Sequence, residues 1–208
     1  MTALIVYATK DAMIRGITDN NYGALATFQV GGGITAWLVS GIMQFDLSSL
    51  DAGTIINSAY VSIFGATVLS HTHAQLAELP AADVGWVEGT KLGEVEVGTN
   101  CWNYHTYDTV AWSGGAGAGG GTFIANFDSP TPQGAEVQIT LTVAMVQAWV
   151  GPSGINPGLI AKAQSGTQVP RAMCTRETTS SANYPRLTMD VTYPSNLKPP
   201  MVWPHYRI

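Results

Sequence analysis

The side chains able to do acid–base work are few: fourteen Asp plus Glu, nine Lys plus Arg and four His in 208 residues. Glycoside hydrolysis needs two carboxylates flanking one bond. Asp11, Asp46, Glu88 and Asp128 are available, but no spacing marks any two of them as a pair, and turn caps and surface charges account for all four. There is no Gly-x-Ser-x-Gly elbow, and Cys174 would serve as a nucleophile only where a histidine converges on it in space. No catalytic residue and no enzymatic activity are expected.

Metal and cofactor chemistry is similarly sparse. On a strand, His71-x-His73 would put two imidazoles on one face, and a third ligand such as His105 would complete a zinc site; the alternative is two solvent-facing histidines. Asp11 and Asn21 are oxygen donors near strand ends, the type calcium takes, yet no dense acidic loop accompanies them. The expectation is no metal and no cofactor. Gly115-x-Gly117-x-x-Gly120 spells the dinucleotide fingerprint, but no strand-then-helix context surrounds it, so Ser113–Gly121 reads as a flexible linker. Cys101 and Cys174 form no metal-type pair; they read as buried small hydrophobes, with a bridge as the alternative. The residues best suited to a ligand are aromatic. Trp112, beside a Gly-rich segment and therefore expected to be exposed, together with Tyr104 and Tyr107 could stack on a sugar face. Trp37 and Trp203 are expected to be exposed as well, whereas Trp86, Trp102 and Trp149 read as core or core-edge aromatics.

The elements that must position these residues are strands. Charged residues are only 11% of the chain and hydrophobic ones 46%, which excludes a disordered chain or a coiled coil. The net charge of -5 leaves no basic stripe for nucleic acid, and no apolar run reaches the ~20 residues of a spanning helix. Short β-rich segments recur at Leu4–Tyr7, Thr27–Val30, Gly41–Phe45, Tyr60–Phe64, Thr122–Phe127, Glu136–Leu141, Leu159–Ala163 and Leu187–Tyr193. In Glu136–Leu141, Val137, Ile139 and Leu141 alternate with polar residues, the period of a half-buried strand. Many short strands without interleaved helices predict an all-β, antiparallel sandwich. One short helix is predicted after Thr142, with Val143, Val146 and Val150 on one face and Gly151-Pro152 as its stop. Leu47–Leu50 is predicted to make a single turn whose amides Asp46 accepts.

Residues 1–193 read as one domain and residues 194–208 as an extended arm. Prolines 194, 199, 200 and 204 forbid a central strand there, and Met201, Val202, Trp203, Tyr206 and Ile208 make the arm apolar enough to need a surface, its own or a neighbour's. The start of the chain lacks the basic and apolar regions of a secretory signal, so use without that export route is expected.

The order of short motifs adds a resemblance. Asp11-x-x-Ile14-x-Gly16, Asn21-Tyr22-Gly23-Ala24, Val30-Gly31-Gly32-Gly33, Phe45–Leu50, Ile55-x-x-Ser58-Ala59, Trp86-x-Glu88-Gly89, Asn100-x-Trp102-Asn103, Val143-x-x-Val146-x-x-Trp149 with Asn156-x-Gly158-Leu159, and Arg176-Glu177 before Pro185-Arg186-Leu187 follow one another along residues 1–193. This succession resembles the DNRLRE-domain proteins, related to carbohydrate-binding module family 96. The resemblance implies a jelly-roll β-sandwich without catalytic machinery, a module of large secreted or surface proteins, some of which bind acidic polysaccharide. Two roles follow as expectations. The first is a structural subunit of a larger assembly such as a virion surface (decoration, fibre or tail protein), partnered by copies of itself or by capsid and tail proteins. The second is a glycan-binding module.

Overall fold

The computed structural model describes residues 2–16, 18–32, 38–67, 72–164 and 169–194. Its organising element is the first strand, β1 (Thr2–Arg15), whose sequence changes character halfway. Leu4 to Tyr7 alternate between half-buried and exposed, whereas Asp11 to Ile14 are all buried. The change coincides with a register shift between Ala8 and Lys10. Before it, β1 pairs antiparallel with β14 (Arg186–Thr192); after it, β1 pairs with β4 (Val39–Phe45). A strand that bends at a bulge can belong to two sheets at once, and so makes the corner of a sandwich.

Two antiparallel layers hang from that corner. One has β1, β14, β5 (Ile55–Phe64) and β11 (Glu136–Leu141) side by side. The other continues from β1 through β4, β12 (Leu159–Ala163) and β6 (His73–Glu78) to β10 (Thr122–Asp128). The outermost strands, β10 and β11, approach each other, so the eight-stranded sheet curls back on itself. Small pairs complete the fold: β2 (Asn20–Asn21) with β7 (Glu94–Val95), β3 (Thr27–Val30) with β13 (Arg171–Cys174), and β8 (Tyr104–Thr106) with β9 (Val110–Ala111). Each strand predicted by alternation lies within, or overlaps, a strand of the structure, and the antiparallel sandwich is the fold.

Between the layers lies the main core. Across the first layer Val6, Leu187, Val61 and Ile139 stand in register, three of them fully buried; Met43, Phe45, Leu76 and Leu159 face them from the second. Phe28 of β3 fits here because β4 carries Gly41: a Cβ at that position would lie 2.0 Å from the ring. The helix α1 (Val143–Ala148) follows Thr142, although the Thr142 hydroxyl makes no cap bond. Val146, Trp149 and Val150 are buried as predicted, but Val143 is exposed. The reason is that only the last turn is drawn onto the sandwich: Gln147 accepts from the Ile56 amide and donates to the Thr54 carbonyl, and Gly151, at φ +86°, donates to Leu47. The 47–50 turn closes as predicted, with Ser48 N–H donating to Asp46 Oδ1 at 2.9 Å.

A second core was not legible as such. Ala12, Ile42, Ile160 and Ala77 form a row across β1, β4, β12 and β6 on the face turned away from the main core. The excursion between β6 and β10, residues 79–121, folds over them and adds Trp86, Trp112 and Ala118. It is fastened by Trp86 Nε1–H to the Pro157 carbonyl at 3.1 Å and by Leu79 N–H to the Gly158 carbonyl, and tied within itself by Ser113, whose amide and hydroxyl both donate to buried Asp83. The Gly-rich stretch within it is therefore a packed, hydrogen-bonded loop rather than a flexible linker: Ala118 is fully buried and Gly117 seats the Trp102 ring.

A buried acid–arginine knot as candidate functional site

Five of the motifs strung along the chain meet at one place. Asp11 comes from β1 just after the bulge, Asn21 from β2, Glu88 and Asn100 from the excursion, and Arg176-Glu177 from the segment after β13. Asp11, Asn21 and Asn100 have no exposed surface. Glu88 accepts the Asp11 amide at 2.7 Å and both Nε and Nη2 of Arg176, a two-point carboxylate–guanidinium pair. The same Arg176 Nε reaches Glu177 Oε1 at 3.1 Å, and the Arg176 amide donates to Asp11 Oδ2 at 2.9 Å. Asn21 is saturated by backbone: its Nδ2 donates to the carbonyls of Glu88 and Asn100, and its Oδ1 accepts from Gly23 and Lys91. Gly89, at φ +77°, lets the chain pass against Asn21, where any side chain would collide.

The electrostatics follow from burial. Desolvation, then the neighbouring Glu177 charge, drives the Asp11 carboxyl well above the usual carboxylate range, against the pull of the Arg176 amide. Burial also raises Glu88, offset in part by its bonds to Arg176 and the Asp11 amide. Lys10 sits beside the knot: its ammonium donates to the Trp86 carbonyl at 3.1 Å and lies 5.4 Å from that ring, and burial lowers its pKa against the pull of the Glu88 and Asp46 charges. Chemically, the knot ties the first strand, the excursion and the approach to the last strand into one unit, and it brings one oxygen from each of the Asp11, Glu88 and Glu177 carboxylates within 4.8 Å of the others. Asp11 and Glu88 stood among the sequence candidates, but Arg176, Glu177 and Asn100 entered only through motif order. The available signal was polar residues recurring beside apolar strand ends, which does not say that they converge.

The predicted aromatic platform is not built as expected. Trp112 is 3% exposed; its indole N–H donates to the Cys101 carbonyl at 2.8 Å, and His105 lies tilted against it at 5.7 Å. A ring covered on this scale offers no face to a sugar, which corrects its expected exposure. Tyr104 and Tyr107 are half-buried and meet edge to face at 5.6 Å. Trp86 and Trp149 are core residues and Trp102 is core-edge, as expected. Trp37 and the arm residues Met201, Val202, Trp203, Tyr206 and Ile208 lie outside the described residues, as does His71. His73 pairs with Asp128 across β6 and β10 at 2.6 Å, while His105 is buried in the excursion, so the two do not stand together as zinc ligands. Cys101 and Cys174 are free and buried, and burial pushes the Cys101 thiol up to about 11.

Two further surface features stand out among the described residues. A cleft of about 380 Å³ opens at the β1 bulge, with Thr9, Lys10, Gln44, Asp46, Ser48 and Asn156 on its polar side. On the excursion, Val87, Leu92, Val95, Val97 and Val110 are exposed, Leu92 by 66% and Val97 by 74%. Bonds from Val87 N–H to the His105 carbonyl and from Gly98 N–H to the Tyr107 carbonyl run between these segments. No protein-family model and no curated protein matches the chain.

Proposed function

We propose that the chain is a non-catalytic structural subunit of a larger extracellular assembly, most simply a virion-surface component such as a decoration, fibre or tail protein, that contacts copies of itself or capsid and tail proteins. The observation that carries this reading is an inversion in the excursion. Its polar motif groups, the Glu88 carboxylate and the Asn100 amide N–H, bond inward, while its aliphatic residues Val87, Leu92, Val95, Val97 and Val110 face outward. Exposed aliphatic groups on a chain with only 11% charged residues mark a contact surface. The motif order that resembles DNRLRE-domain proteins supports a scaffold role in the same way, and the apolar residues Met201, Val202, Trp203, Tyr206 and Ile208 add a docking arm. The test is sedimentation of the purified chain at micromolar concentration. Self-association is expected, with loss of it in a Leu92→Asp/Val97→Asp double variant and on deletion of residues 195–208, each with an unchanged melting curve. A monomer throughout would refute the self-assembling form.

The cleft at the β1 bulge favours a second reading, a glycan-binding module. It joins hydroxyl, amide, ammonium and carboxylate groups, with Val84 as the exposed apolar residue at its rim. A polysaccharide panel tests it: binding lost in Gln44→Ala would place the sugar in the cleft, and binding lost in Tyr107→Ala would place it at the tyrosine pair.

A further inference from the structure

One contact in the knot is chemically incomplete. The Asp11 and Glu177 side chains stand within hydrogen-bonding reach of each other. One oxygen of each is committed: Asp11 Oδ2 accepts the Arg176 amide, and Glu177 Oε1 pairs with Arg176 Nε. The oxygens left over are Asp11 Oδ1 and Glu177 Oε2, both buried and, among the described residues, without a donor. Asp11 has no exposed surface, so it cannot turn its free oxygen to water. Two ionised carboxylates placed this way repel, and each leaves a buried acceptor unsatisfied. The charge count agrees. Around the pair, β1 brings Lys10, the excursion Glu88 and the segment after β13 Arg176, while β4 sets Met43 opposite Asp11 and β2 brings only the amide of Asn21. Two positive charges thus stand against the three carboxylates of Asp11, Glu88 and Glu177. One further positive charge balances them, and at hydrogen-bonding separation only a hydrogen fits between the two oxygens.

We propose that the folded protein holds one proton between Asp11 Oδ1 and Glu177 Oε2 at neutral pH, which makes the knot a latch that weakens as pH rises. The proton turns one orphaned acceptor into a donor for the other, a charge-assisted O–H···O bond that joins the first strand to the approach of the last. Burial and the Glu177 charge, which drive the Asp11 carboxyl upward, act in the same direction. The proton belongs to the pair and not to either residue alone. Glu177, its side chain 23% exposed, gives it a route to solvent. In the unfolded chain both carboxyls ionise in the ordinary range, at about pH 4. The stability this bond contributes is therefore complete below that range and is lost as pH rises through the higher value of the folded pair.

Urea unfolding of the full-length protein at intervals from pH 5 to pH 9 tests this. The unfolding equilibrium constant of the wild type should climb by up to about tenfold per pH unit until the pair ionises. Asp11→Asn replaces the shared O–H with an amide N–H, so it should abolish the climb and be more stable than the wild type at pH 9. Glu177→Gln should abolish the climb from the other side of the bond. Histidine titration is common to wild type and variants, so the difference between their profiles isolates the pair. Infrared spectra of the wild type at pH 7 should carry a protonated-carboxyl carbonyl band that fades where the climb ends, a readout that decides the matter even if a variant fails to fold. Absence of that band overturns the proposal. So does a band that survives in folded Asp11→Asn, a wild-type profile parallel to that of Asp11→Asn, or an Asp11→Asn protein less stable than the wild type at pH 9.

Discussion

The two outer faces of this sandwich solve the same problem in opposite ways. On the β1–β14–β5–β11 layer, Ile5, Thr188, Tyr60 and Thr140 stand in register on the outside, exposed or half-buried, directly beside the buried row Val6, Leu187, Val61 and Ile139. That is the ordinary alternation of an antiparallel sheet with one wet face. On the other layer the matching outer row, Ala12, Ile42, Ile160 and Ala77, is buried under Trp86 and Trp112, so β4 is buried on both sides. Six of its seven residues, Ser40 and Ile42 on the outer side included, are buried, as a sheet covered twice requires. The excursion over residues 79–121 is thus a load of core residues, not a loop between strands.

The sharpest way to break this comparison is Trp86→Ala. The indole is fully buried, bonded to Pro157 and stacked under the Lys10 ammonium, so its loss should remove about 3–5 kcal/mol from the unfolding free energy in urea. Loss of under 1 kcal/mol would mean that the excursion is a detachable flap. Next in size is Arg176→Met, which leaves Glu88 without its two-point guanidinium partner and Glu177 without its Nε contact, while the residue-176 amide still serves Asp11. With Glu88 nearly buried and Arg176 39% exposed, the expected cost is about 3 kcal/mol in the same urea assay, and Arg176→Lys should recover only part of it because lysine lacks the two-point fork.

How much of this was legible can be argued from particular residues. Val137, Ile139 and Leu141 alternate and lie in a strand with one wet face, so the pattern mapped directly onto β11. The strand His73–Glu78 was missed because its alternation, Ala74 and Leu76 against His73 and Gln75, lasts only four residues before Ala77 turns an apolar group to the second core. Trp112 was expected at the surface because Gly-rich neighbours normally mark exposed loops; here the glycines serve close approach, Gly117 to Trp102 and Gly114 to Gly119, so small residues signalled packing instead. The knot was legible as a list of motifs and not as a site. Asp11, Asn21, Glu88, Asn100 and Arg176 are separated by up to 165 residues, and only the sandwich topology brings them within bonding distance.

The smallest effect should come from the open face, and its smallness is the point. Ile5 is 51% exposed and pairs in register with Thr188, so Ile5→Thr keeps a β-branched side chain on a strand that already has its main-chain partners. Little buried apolar area is lost, and stability should change by no more than about 0.5 kcal/mol. The equivalent change in the covered row, Ile42→Thr, places a hydroxyl among Trp86, Trp112 and Ile160 with no room for water, and should cost several times more. Measuring both variants by urea denaturation on one preparation compares the two faces through a single kind of substitution. Equal costs would mean that the residues over 79–121 do not keep water from the second layer, and the Trp86→Ala result would then have to be read as a local cavity rather than as the loss of a roof.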